Sequence, residues 1–247
     1  VDGDLAGFLF GFYRFGGHQL PSEWRERFQN ELRLESQLMG VLPKYRGLRI
    51  GHLLKQVQAE AARNEGVDIV SWTADPLQYP NASLNFGLLR AVSIDFRANH
   101  YSFRNDLNRV PASRLNLIWL VATKRTQSIQ RTGSRALVLD LGSHPEIQVV
   151  NRGFCRINYS ADRPVIAIEI PANWTRLQSE SVNEALRWRS ETDLIFAHYV
   201  GSEHGKYAIT GVAVDGERRF LIGQRVNEAL WQHLGHVADL PFHSGKD

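Results

Sequence analysis

The chain predicts an α/β fold with a mixed sheet, and three features of its hydrophobic pattern carry that expectation. Residues 32–42 alternate, with Leu32, Leu34, Ser36, Leu38 and Gly40 set against Arg33, Glu35, Gln37 and Met39, which is the period of two of a half-buried strand. After Pro43 the period lengthens, and Ile50, Leu53, Leu54, Val57 and Ala61 form one helical stripe that ends at Gly66. A β-branched run over 67–73 then restores the strand signature. Strand, helix and strand in succession are the mark of layered α/β proteins.

The other elements follow in chain order. Residues 5–13 read as a strand, preceded by Asp2-Gly3, a favoured hairpin dipeptide that leaves only Val1 for a partner arm. The expectation is a chain cut at its N-terminus. Phe15-Gly16-Gly17 and Pro21-Ser22 mark a loop. Pro80-Asn81 opens a second helix with Leu84, Leu88 and Leu89 inward, and 91–96 and 115–123 are further strands. The polar stretch 126–134 reads as a linker, dividing the chain into residues 1–125 and a C-terminal α+β extension at 126–247. In the extension, 136–141, 147–150 and 164–170 read as strands. Ser181 with Glu184 suits a capping box for a helix to about 199, and 207–214 with 218–224 flank Asp215-Gly216 as a hairpin.

Composition excludes several classes of function. The chain has 247 residues, 43% hydrophobic and 22% charged, ordinary values for a globular protein with a substantial core. Its best apolar run, 117–122, falls well short of the roughly 20 residues that cross a bilayer, and no basic-then-apolar leader opens the sequence. The expectation is a soluble, cytoplasmic protein with no membrane partner. The single cysteine, Cys155, excludes an internal disulfide framework and a cysteine-based zinc site, so no metal is expected. A net charge of +3 is too small to imply nucleic acid, and the arginines are spread without the interleaved aromatics of an RNA-binding sheet.

Charge does concentrate locally. Lys44, Arg46, Arg49, Lys55 and Arg63 face only Glu60 between positions 44 and 63. In the same stretch, Met39 to His52, a strand ends, a loop with Gly47 and Gly51 follows, and a helix starts. Helix N-termini present unpaired N–H groups and partial positive charge, glycines let a ligand approach, and Arg46 and Arg49 add charge-assisted donors. This coincidence favours an anion site over an ordinary bend.

The segment resembles motif A of the GNAT acyltransferase superfamily, in which a strand ending V-x-P runs into [QR]-x-x-G-x-[GA] and a helix. Val41-Leu42-Pro43, Arg46-Gly47 and Ile50-Gly51 match, whereas Arg49 stands where the motif has glycine. Trp72 to Leu77 and Asn81 to Asn85, with Ile170-Pro171-Ala172-Asn173, Ala185 to Arg189 and Tyr207 to Thr210, are similar to a GNAT subfamily with a C-terminal extension. The resemblance implies a GNAT-like fold lacking its first strand and helices, with apolar surface left open to self-association. It implies acyl-CoA as co-substrate, with acetyl or succinyl as donor group, and a small-molecule amine such as an amino acid as acceptor. Met39, Gly40 and Val41 would lie along the pantetheine arm. Arg46, Gly47, Leu48, Arg49, Ile50, Gly51 and His52 would cradle the pyrophosphate, and Asn81 would start the pantetheine-side helix. Glu35 reads either as general base or as an exposed strand residue. The helix tyrosine that often serves as acid is replaced by Leu88 and Leu89, so Tyr101 is the nearest substitute, with His100 an alternative base. A non-catalytic acyl-CoA-binding domain is the competing reading.

Overall fold

In the computed structural model of the chain, the described residues are 3–16, 20–25, 32–101, 110–131 and 135–237. Val1 and Asp2, Gly17 and the end of the expected linker at 132–134 lie outside them.

The alternating stretch forms β2 (Leu32–Val41), antiparallel to β1 (Gly7–Phe15), and Pro43 ends it because proline has no N–H for the ladder. The pairing slips by one residue, from Phe10↔Leu38 to Gly11↔Ser36, so Gln37 is bulged out of the ladder. Gly11 is obligatory beside the bulge. A Cβ there would lie 2.7 Å from the Glu35 carbonyl oxygen and 3.0 Å from Gln58 Nε2. A 3-10 turn, Pro43–Tyr45, leads to α2 (Ile50–Asn64), and the chain returns as β3 (Ile69–Ala74). β3 runs parallel to β2 but pairs with it at only two rungs, Leu34↔Val70 and Glu35↔Ser71. Past those rungs the two strands no longer pair.

α2 does not bury the stripe the sequence suggests. Leu53 and Val57 are 52% and 66% exposed, while His52, Lys55, Gln58, Ala59 and Ala62 are buried. The small alanines pack with Leu34 and Val70, and the polar side chains face the place where β2 and β3 part. The helix therefore sits in a phase set by that gap rather than by apolar content.

α3 (Tyr79–Ala82) continues as a wide helical turn over Ser83–Leu88, and β4 (Val92–Tyr101) and β5 (Ala112–Leu120) follow. The first part of the expected linker, residues 126–131, instead belongs to α4 (Lys124–Arg131). Its polar face is tethered, since the Thr123 and Thr126 hydroxyls donate to the Leu120 carbonyl and Arg125 to that of Thr210. The remaining elements are β6 (Val138–Asp140), β7 (Gln148–Val149), β8 (Asn151–Arg152), β9 (Arg156–Ile157), β10 (Val165–Ile170), α5 (Trp174–Glu180), α6 (Val182–Tyr199), β11 (Tyr207–Asp215), β12 (Arg218–Arg225) and α7 (Glu228–Leu234). Asn173 caps α5 and Ser181 caps α6 by accepting from the Arg176 and Glu184 N–H groups.

The main sheet runs β1-β2-β3-β5-β4-β11-β12-β10-β7, so the mixed α/β class holds. The division at 125/126 does not separate two cores. β11 extends the sheet at β4 through Ile209↔Ser93, Phe96 packs on Phe196, and one apolar cluster holds Leu34, Leu117, Ile168 and Ala185 together. Trp24 of α1 (Ser22–Arg25) likewise stacks edge-on against Trp231, 5.3 Å between centroids, and donates to its carbonyl.

Candidate active site

A cavity of about 800 Å³ opens where β2 and β3 part. Ser36 to Met39 form one wall and Trp72 to Asp75 the other, with Asn81 and Asn85 from the α3 region and Asn173 and Thr175 from the start of α5 closing it. Lys55 reaches it from α2. The C-terminal half thus contributes to a site whose other walls all lie before residue 115.

The cavity is braced by a buried ion cluster. Arg189 Nη2 donates to Asp75 Oδ2 at 2.6 Å, and Arg114 Nη1 lies 3.7 Å from the same oxygen. The other Asp75 oxygen accepts the Leu77 N–H, which holds the turn before α3. Asp193 accepts the Ser113 hydroxyl, and burial raises its carboxyl above the ordinary range.

Of the residues expected to hold the donor, Met39 and Asn81 line the cavity. Gly40 and Val41 continue β2, with the Phe8 ring packed so closely that a Cβ at Gly40 would sit 2.7 Å from it. Arg46 to His52 do not line the cavity but abut its Met39 end, where the Met39 methyl lies 3.5 Å from the Cβ position of Gly51. Arg46 Nε donates to the Val41 carbonyl, fastening the loop to the strand end. Gly47 has φ of 81°, and Arg49, the residue before α2, is also left-handed at φ 62°, ψ 16°. The motif glycine's conformation is therefore adopted by an arginine. No side chain caps this helix start, so the first-turn N–H groups remain available to an anion. Leu48 is exposed, Ile50 half-buried, and His52 buried, its imidazole lowered by burial and by the Arg49 charge.

Glu35 and Ser71 form the last shared rung, and each precedes a cavity-lining residue in its strand, so their side chains point to the opposite face. There they line a second depression, also about 800 Å³, with Arg14, Asp95, Arg97 and Lys206. Glu35 is ion-paired with Arg14. Tyr101, the last residue of β4, lines neither space; its ring lies 5.0 Å from the guanidinium of Arg114, which does line the first. His100 stacks on Tyr101, its imidazole lowered by burial and then by Arg97 and Arg114. Cys155 is exposed and lines neither space. Among the described residues no cluster could hold a metal ion, and no helix is long and apolar enough to cross a membrane.

The sequence does not announce Lys55 as a site residue: it falls within a basic cluster, and the apolar stripe at 50, 53, 54 and 57 points the helix the other way.

An open mixed sheet with a parted parallel pair, a glycine- and arginine-bearing loop and an uncapped helix start defines a two-faced ligand site. No family model and no curated protein matches the chain. Several solved structures are similar to parts of it. Naa20 of Chaetomium thermophilum, solved with a bisubstrate analogue, is 16% identical, with 51% of this chain and 64% of that one covered and a TM-score of 0.38. Nourseothricin acetyltransferase is 22% identical, covering 47% and 58% with a TM-score of 0.34. The NatC complex bound to Gag peptide and CoA is 17% identical, covering 44% and 58% with a TM-score of 0.30. The chain spans less than two thirds of each of these, and the functional reading rests on its own residues.

Proposed function

We propose that the chain is an acyl-CoA-dependent N-acyltransferase of the GNAT type, moving acetyl or another short acyl group directly to a primary amine. The observation that carries this reading is the parting of β2 from β3 after two rungs, with the Arg46–His52 loop and an uncapped helix start at the far end of the gap.

These residues fit the co-substrate by charge and by donor type. Arg46 and Arg49 would bind phosphate oxygens beside the first-turn N–H groups of α2, around Gly47, Leu48, Ile50, Gly51 and His52. The backbone of Met39, Gly40 and Val41 would hold the amide-bearing arm, with Asn81 opposite. Acyl-CoA, when bound, supplies an activated thioester. A small-molecule amine would enter from the second depression, whose three cations and mixed acids suit a polar, charged acceptor such as an amino acid. Glu35, which lines the acceptor depression, would take the proton that the attacking ammonium loses; Tyr101 lines neither space, so returning a proton to the departing thiolate would require its hydroxyl to reach the cavity past Arg114. Acyl transfer needs the reacting atoms in contact, a contact that would have to be reached beyond the last shared rung, where β2 and β3 no longer pair.

Calorimetric titration with CoA tests the reading. Arg46→Glu should weaken binding by about 1.5–3 kcal/mol, the scale of a lost charged hydrogen bond. Unchanged affinity places the nucleotide elsewhere. A non-catalytic acyl-CoA-binding domain is favoured by Arg49 at the glycine position and by Leu88 and Leu89 where an acid would stand; it predicts CoA binding with no amine-dependent thiol release.

A further inference from the structure

Lys55 is an unusual group for its position. It is 3% exposed, yet it belongs to the wall of an open cavity. Its Nζ donates to Ser36 Oγ at 2.7 Å and to Gln58 Oε1 at 3.2 Å, and lies 3.7 Å from the centroid of the Trp72 ring. Ser36 and Trp72 line the same cavity, so the amine stands at its surface rather than behind it.

None of those three partners is a carboxylate. On α2 the nearest titratable neighbour is His52, one turn back and itself held low by burial. Glu35, on β2, points to the opposite face and is occupied by Arg14. The acid that shares the cavity, Asp75, is committed to Arg189, with Arg114 beside it. Burial without an anionic partner lowers the amine to about 7, from the 10.5 of an ordinary lysine.

We propose that Lys55 is an acyl-accepting nucleophile, and that a thioester entering the cavity acylates its Nζ. The neutral nitrogen's lone pair attacks the carbonyl carbon. The C–S bond breaks with its electron pair on sulfur, and the nitrogen gives up one proton, which the thiolate takes. The product is an uncharged amide plus a thiol, so atoms and charge balance without a further reactant. Near pH 7.5 most molecules present the neutral amine, whereas an exposed lysine does so in about one molecule in a thousand. The amide also places the acyl group in the cavity itself, so the modification shuts the site to a second donor. The inference uses only the cavity and the amine, and stands apart from whether a nucleotide binds at the Arg46 loop.

The wild-type chain provides its own controls, because it has five lysines, of which Lys44, Lys124 and Lys206 are described and lie outside the cavity. The protein is incubated at pH 6 to 9.5 with limiting S-acetyl-N-acetylcysteamine, a small thioester with no nucleotide. It is then digested with a glutamate-specific protease and mapped by mass spectrometry. Lys55 should be acetylated at least tenfold faster than the other three at pH 7.5, with a midpoint near 7. In 8 M urea its rate should fall to theirs. Labelling of Lys55 no faster than Lys44 in the folded protein, or labelling that appears only in urea, overturns the proposal. Because the probe lacks the nucleotide, this result and the CoA titration can fail independently.

Discussion

Replacing Lys55 by methionine should stabilise the protein at neutral pH and lose that advantage as the pH rises. The lysine's amine is lowered to about 7 in the folded chain and sits near 10.5 when unfolded. Between those values the unfolded chain binds a proton that the folded chain lacks, so wild-type stability rises with pH across the window. At 1.36 kcal/mol per pH unit the full span is on the order of 5 kcal/mol, and about 3 kcal/mol of it falls between pH 6.5 and 9.5. Methionine carries no charge to desolvate. It leaves the Ser36 hydroxyl and the Gln58 carbonyl without their partner, a cost of about 1–3 kcal/mol that does not vary with pH in this window. The variant should therefore be more stable than wild type at pH 6.5 and equal or less stable at pH 9.5. The other groups that titrate here are common to both proteins and cancel. His52 is lowered from 6.5, so it changes charge below the window. Urea unfolding of both proteins at half-unit pH steps measures the difference. A difference that stays flat with pH would refute the account of Lys55 as a buried, uncompensated amine.

Other perturbations test separate parts of the site. Arg49→Gly removes a left-handed non-glycine residue, a strain of about 1 kcal/mol, while adding a similar unfolded-state entropy, so stability should stay within about 0.5 kcal/mol. CoA affinity measured by calorimetry should nonetheless fall, and unchanged or tighter binding means the Arg49 side chain adds nothing. Asp75→Ala leaves buried Arg189 with only the more distant Asp193, 3.8 Å from its Nη1, and should cost about 3 kcal/mol in chemical unfolding, with α6 and the α3 turn loosened together. A loss below about 1 kcal/mol would mean the cluster does not brace the cavity.

The local part of the fold was legible because its signals are local. The change of period at Pro43, the cap at Ser181 and the glycine turn at 216 all read through to observed elements, whereas α5 and its Asn173 cap were not expected. The bulge at Gln37 was not legible, since Ser36 and Leu38 fall on one stripe of a regular strand. In the structure Ser36 bonds the buried Lys55 while Leu38 is 56% exposed. The phase of α2 failed for a related reason. Apolar content points Leu53 and Val57 inward, but the surface beneath the helix is the mouth of a cavity, where Lys55 and Gln58 find partners and leucines would not. The polar stretch after Thr123 looked like a linker because its tethers, the Leu120 and Thr210 carbonyls, come from the backbone and leave no side-chain pattern. Long-range joins were beyond local reading altogether. Asp75 and Arg189 are separated by 114 positions, and the β4–β11 pairing rests on Ile209 and Ser93, neither of which advertises a partner.

The most direct test of the account is thiol release from acetyl-CoA, followed with a panel of amino acids and other primary amines, for wild type and Arg46→Glu. The account predicts release that depends on the amine, saturates with acetyl-CoA, and falls by at least tenfold in kcat/KM for the variant, the kinetic equivalent of the lost phosphate contact. Release that no amine accelerates, or that Arg46→Glu leaves unchanged, would contradict the assignment of this chain as an acyl-CoA-dependent N-acyltransferase.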